Sequence, residues 1–239
     1  MRAWITGIIG LLLALSATPA AFAEGKGSIL MLGDSLFSAN RLVNGSVADV
    51  LETALGAEVR NNSVPGARYF QKIPVTGMFG LRLTSQFVPG DWDAIVVNGG
   101  GNDLLFGCGC GACSRVLDRL ISTDGRRGAI PTYVAKLQKT GVPVIYVGYL
   151  RNPGVATPIK SCRAAGDELD RRLAALDALD AGMDFVALSD LVPFGDRSFH
   201  QLDLIHPSSK GSREIALRIA LRLDPILNPG PPEPPAKGN

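Results

Sequence analysis

The sequence predicts an α/β domain of three layers, a parallel sheet of five strands between two layers of helices. Short apolar, β-branched segments alternate along the chain with stretches whose apolar residues recur at helical spacing. Such alternation needs crossover connections, which make neighbouring strands parallel and cover both faces of the sheet with helices. The length, 239 residues, fits one domain with a sizeable core, because domains typically hold about 50–250 residues. No internal repeat and no second long apolar span interrupts the pattern.

Taken in order, residues 1–23 read as a leader: Met1-Arg2, an apolar stretch from Ala3 to Leu15, and the small-residue end Ala21-Phe22-Ala23. That form matches a signal peptide better than a membrane anchor, since the stretch is short for a span and ends like a cleavage site. The folded domain is then expected over residues 24–227. Strands are expected at Ser28–Leu32, Glu58–Arg60, Ala94–Asn98, Val142–Leu150 and Asp184–Leu188. Helices are expected at Val47–Leu55, Val116–Ile121, Thr132–Lys139, Ala164–Leu179 and Ser209–Leu223. Residues 228–239 are too rich in Pro to continue a helix and read as an extended, disordered tail.

Charge excludes some functions. The chain carries 24 Lys and Arg against 22 Asp and Glu, and loss of the leader removes Arg2 and no acid. A near-neutral balance offers no electrostatic case for nucleic acid or for an anionic membrane surface. No membrane span is expected to remain after cleavage, and the protein is expected to be an exported monomer, periplasmic or secreted. Four cysteines in an exported chain point to disulfides. Cys108, Cys110 and Cys113 crowd together and Cys162 stands apart. A Cys-Gly-Cys ring is strained, so two arrangements stay open: Cys108–Cys162 with Cys110–Cys113, or Cys110–Cys162 with Cys108–Cys113. A zinc site on the four thiolates is the alternative.

In sheets of this kind, sites form at the carboxyl ends of strands. Gly33-Asp34-Ser35 ends the first strand, Asn61–Gly66 follows the second, Gly99–Asp103 ends the third, and His206 precedes the last helix. These segments are therefore expected to meet on one rim. A serine hydroxyl is a poor nucleophile until a base takes its proton, and the chain has two imidazoles, His200 and His206. A serine at a strand-to-helix turn is more often a helix cap. His206, however, follows Asp203 by three residues and precedes Pro207, which favours an extended or turn backbone. Such a turn lets the carboxylate hold one ring nitrogen while the other faces Ser35. His200 lacks a carboxylate at that spacing and reads as a surface or packing residue. An oxyanion needs preorganised donors; the Ser35 N–H, the Gly66 N–H and the Asn102 side-chain amide are the candidates, although Gly66 and Asn102 also suit ordinary turns.

With these residues in view, the chain resembles the GDSL, or SGNH, hydrolases, a family of serine esterases and lipases. The resemblance rests on Gly33-Asp34-Ser35-Leu36, the glycine of Asn62-Ser63-Val64-Pro65-Gly66, Gly100-Gly101-Asn102-Asp103, and Asp203-Leu204-Ile205-His206-Pro207, four blocks in order across the mature domain. It implies Ser35 as nucleophile, His206 as base and Asp203 as its partner, with Ser35, Gly66 and Asn102 as the oxyanion hole. It also implies a flavodoxin-like sheet of order 2-1-3-4-5 and a mechanism without cofactor or metal. Substrates would be small-molecule, glycan or lipid esters, including thioesters and O-acyl sugars. The departure is Leu104–Cys113, read as a cysteine-rich loop beside the rim. An O-acyltransferase with the same triad, and a non-enzymatic cysteine or metal-binding module, are the competing functions.

Overall fold

The computed structural model describes residues 27–71, 79–154, 157 and 159–229. The expected leader at 1–23, the start of the domain at 24–26 and the Pro-rich end from 230 onward lie outside the described residues. Five strands form one parallel sheet: β1 Ser28–Leu32, β2 Glu58–Asn61, β3 Ala94–Asn98, β4 Val144–Val147 and β5 Met183–Val186. Their order is β2-β1-β3-β4-β5, the expected one. The register aligns Leu32 with Val97 and Asn98 with Val147, so the carboxyl ends finish at one level.

Successive strand residues face opposite ways, and this splits the core. Leu30, Leu32, Ile95 and Val97 pack under α3 (Gly101–Cys108), α4 (Ser114–Leu120), α5 (Ala129–Gln138) and α6 (Arg163–Asp177). Ile29, Met31, Val96 and Ile145 pack under α1 (Ser35–Ser38), α2 (Val47–Leu55) and α7 (Ser209–Leu227). Apolar burial on both faces is what makes a parallel sheet stable. Among the described residues no helix is long and apolar enough to cross a membrane.

Local chemistry sets the helix starts that matter for the rim. Asp34 caps α1 by accepting from the Leu36 N–H at 2.9 Å. Ser46 and Asp49 form a capping box on α2. Ser208 caps α7 by accepting from Gly211 N–H at 3.1 Å, and Gly211 lies so close to the Phe199 carbonyl that a Cβ there would stand 2.1 Å from its oxygen.

Three expectations are corrected. The segment from Leu104 is a loop only over Gly109–Cys113: Gly100 adopts φ 102° and launches α3, which holds Leu104–Cys108 and buries Leu104 in the core. Side-chain burial thus overrides a glycine-rich local sequence. Strand β4 ends at Val147 rather than Leu150, because the Asn98 side-chain amide takes the Val147 and Gly148 carbonyls at 2.9 and 3.2 Å and closes the ladder. Helix α7 runs past Leu223 to Leu227 with Pro225 in its last turn, where the ring removes the N–H that would otherwise bond the Leu221 carbonyl. The disulfides are Cys108–Cys113 and Cys110–Cys162, one of the two expected arrangements. They take up all four cysteines, so no thiolate is left for the zinc alternative.

Candidate active site

Each candidate side chain reaches the rim by a separate local device. Gly33 follows β1 with Phe37 and Asn98 packed against it, so that a Cβ there would lie 2.9 Å from the Phe37 ring. The buried Gln86 amide clamps both backbone groups of Gly33: Oε1 accepts from its N–H at 2.7 Å and Nε2 donates to its carbonyl at 2.8 Å. The chain therefore turns sharply and presents Ser35 as the first residue of α1, half-buried. Its backbone N–H lies in the first turn, where helix N–H groups have no intrahelical partner.

The base is shaped by the turn Asp203–His206. Leu204 adopts φ 55°, the left-handed region that side chains seldom occupy. Asp203 Oδ1 accepts from the Ile205 and His206 N–H groups at 2.9 and 3.0 Å, and Oδ2 bonds His206 Nδ1 at 2.6 Å. Burial raises the Asp203 carboxyl, but the ring and the two backbone donors outweigh it and hold it below the usual range. With Nδ1 on the carboxylate, Nε2 is the nitrogen left to meet a proton.

The serine and histidine segments are joined by residues the sequence reading did not single out. Asn40, two residues past α1, donates through Nδ2 to the Pro207 carbonyl and the Ser212 hydroxyl, both at 2.9 Å. Gln201 in turn donates to Asn40 Oδ1 at 3.1 Å and to the Pro207 carbonyl at 3.2 Å. His200 is buried, with both ring nitrogens lacking partners among the described residues, and burial lowers its pKa. It is a packing residue, not a surface one.

Ser35, Asn102 and His206 line one cavity of about 120 Å³, with Leu36, Leu104 and Leu105 on its wall. No hydrogen bond joins Ser35 to His206 among the described residues. Gly66 does not line the cavity. It adopts φ 78°, and the adjacent Ala67 carbonyl accepts from Asn102 Nδ2 at 3.1 Å, which places the Gly66 turn beside the amide. Asn102 Nδ2 also donates to Asp34 Oδ2 at 3.2 Å. Tyr149 OH donates to that same oxygen at 2.6 Å. Burial raises the Asp34 carboxyl, partly offset by the Leu36 N–H, the Tyr149 hydroxyl and the His206 charge. The sequence places Tyr149 inside the strand expected at Val142–Leu150, whereas β4 ends at Val147 and leaves Tyr149 on the rim two residues beyond it. Cys162 lies on the cavity wall, so the Cys110–Cys162 bridge ties the end of α3 to that wall.

The family model described as GDSL-like lipase/acylhydrolase matches residues 31–214. The chain belongs to that family. It is accordingly a serine esterase of the GDSL type, acting on small-molecule esters. Among solved structures it is similar to a lipase/acylhydrolase from Enterococcus faecalis, at 18% identity and a TM-score of 0.55, covering 86% of this chain and 99% of that one. A member of the lipolytic G-D-S-L family from Veillonella parvula matches at 15% identity and a TM-score of 0.58, covering 82% and 97%. A carbohydrate esterase family 2 enzyme with a carbohydrate-binding domain, from Corynascus thermopiles (Myceliophthora fergusii), matches at 17% identity and a TM-score of 0.58, covering 88% and 69%. At these identities the structural likeness carries the fold alone. A search of curated proteins finds no match.

Proposed function

We propose that this GDSL-type esterase is an exported carboxylic ester hydrolase working through an acyl-enzyme on Ser35. Ser35 Oγ attacks the ester carbonyl carbon while His206 Nε2 takes its proton. The tetrahedral oxyanion is met by the Ser35 and Gly66 N–H groups and the Asn102 amide. Collapse breaks the bond to the alcohol oxygen, which leaves with the proton from His206. A water then gives its proton to His206 and attacks the acyl carbon, and the acid departs as the proton returns to Ser35 Oγ. Asp203 holds the ring tautomer and stabilises the imidazolium between the two steps.

The observation that carries this reading is the 2.6 Å Asp203–His206 pair with His206 on the same cavity as Ser35 and Asn102. Export is supported by the leader-like residues 1–23 and by the two disulfides, which persist in oxidising compartments. The apolar wall of the cavity suits the acyl part of a lipid, thioester or O-acyl sugar substrate. The test is mass spectrometry of rapidly quenched protein incubated with p-nitrophenyl acetate. An acetyl group on the Ser35 peptide, absent from Ser35→Ala, is the expected result; turnover with no such adduct and full activity in Ser35→Ala overturns it.

A further inference from the structure

The role proposed for Asn102 depends on where its amide points, and its own helix does not decide that. Nδ2 has two hydrogens and two acceptors, Asp34 Oδ2 at 3.2 Å and the Ala67 carbonyl at 3.1 Å. An oxyanion must therefore share one of those hydrogens, which makes the angle of the amide critical. The carboxylate that sets this angle is 1% exposed. Its Oδ1 is fixed by the Leu36 N–H at 2.9 Å, and its Oδ2 by the Tyr149 hydroxyl at 2.6 Å. The hydroxyl is itself held, because the Gly101 N–H donates to it at 3.0 Å. The ring lies against Gly101 so closely that a Cβ there would stand 2.6 Å from Cζ. Gly101 and Asn102 are neighbours in the chain, so Gly101 N–H, Tyr149 OH, Asp34 Oδ2 and Asn102 Nδ2 close into one ring of hydrogen bonds spanning the ends of β1, β3 and β4.

We propose that Tyr149 is a positioning residue for the oxyanion hole: through Asp34 it orients the Asn102 amide toward the substrate oxygen. This rests on the reading of Asn102 as an oxyanion donor. The hydroxyl does two things. It fills one lone pair of Oδ2, so the carboxylate cannot rotate toward another donor, and it supports the charge that draws the amide in. Loss of the hydroxyl favours protonation of Asp34, whose carboxyl burial already raises. A protonated Asp34 holds the amide less firmly. The other titratable groups acting on this carboxylate are His206, which favours its charge, and Asp103, which opposes it; Tyr146 is buried nearby and neutral.

Tyr149→Phe keeps the ring against Gly101 and removes the hydroxyl alone. On a small soluble ester, kcat should fall about tenfold with KM within about twofold, the split expected when a transition-state donor is misaligned. The acid limb of the kcat profile should move to higher pH. In an Asn102→Ala background the same substitution should cost less than about twofold, because the residue it orients is gone. A readout independent of catalysis uses the inactive Ser35→Ala protein. There the Asn102 side-chain amide resonances, identified by their loss in Asn102→Ala, should shift on Tyr149→Phe. Unmoved amide resonances, or an equal loss of kcat with and without Asn102, overturn the proposal. A wild-type protein that hydrolyses no ester sinks the esterase reading instead, while the amide resonances still decide the role of Tyr149.

Discussion

At the residue scale, a hydroxyl, an imidazole and an amide each carry a distinct expectation. Ser35→Ala should lower kcat/KM by at least about a thousandfold, as removal of an attacking atom does, and thermal unfolding should be almost unchanged because one half-buried oxygen contributes little packing. His206→Ala should match it. His200→Ala should retain activity and lose stability, since His200 is buried and its backbone bridges to Pro207. Asn102→Ala should reduce kcat by about 100- to 1000-fold with a smaller change in KM, because an oxyanion donor acts mainly in the transition state. A change confined to KM in steady-state kinetics would make Asn102 a ground-state binding residue.

At the scale of elements, the Cys110–Cys162 bridge joins the end of α3 to the turn before α6 across a sequence separation of 52 residues. Closing a loop of that length is worth roughly 4 kcal/mol in the chain-entropy model. The paired substitution Cys110→Ala and Cys162→Ala should therefore lower the unfolding free energy by about 2–4 kcal/mol in denaturant titrations, since measured values often fall short of the model. Activity should drop with it, because Cys162 is part of the cavity wall. Cys108–Cys113 spans only 5 residues and turns the chain from α3 into α4; its removal should cost less in stability. Equal losses for the two bridges would contradict the loop-length argument.

For the whole molecule, titration sets a pH window. Burial lifts Asp103 to about 6 despite the Phe70 and Tyr69 N–H groups on its carboxylate, and burial lifts Asp170 to about 6 despite Arg151. Both are raised above their unfolded values, so their contribution to stability is full below the unfolded pKa of about 4 and is lost as pH rises through about 6. Glu168 works the other way. Its hydrogen bonds from Arg171 and Arg172 lower it to about 2, so its contribution is present above the unfolded pKa and lost as pH falls. His200 also opposes the first pair, because burial lowers its pKa and the unfolded chain takes up a proton that the folded state refuses. Burial raises Asp34 as well, so three buried acids act against one histidine and the melting temperature should be higher near pH 5.5 than near pH 8. Calorimetry of Asp103→Asn should show that difference reduced; an undiminished difference would remove Asp103 from the account.

By itself the sequence determined the class of fold and the identity of the candidate chemistry. Period-two and helical spacing specify strands and helices locally, because each face must be apolar for its own burial. The strand-end rule then brought Ser35, Asn102 and His206 to one rim, since all strands of a parallel sheet finish on the same side. Only the tertiary structure decided what had no local signature. Between two cysteine pairings that local strain left equal, the fold selected Cys110–Cys162, a contact across a sequence separation of 52 that no local feature announces. Leu104–Cys108 looked like a loop until burial against β3 made it a helix. Asn40, Gln86 and Tyr149 were illegible for the same reason: each acts on a partner far away in the chain, Tyr149 on Asp34 across 115 residues. A hydrogen bond over that separation exists only once the sheet has set β1, β3 and β4 side by side.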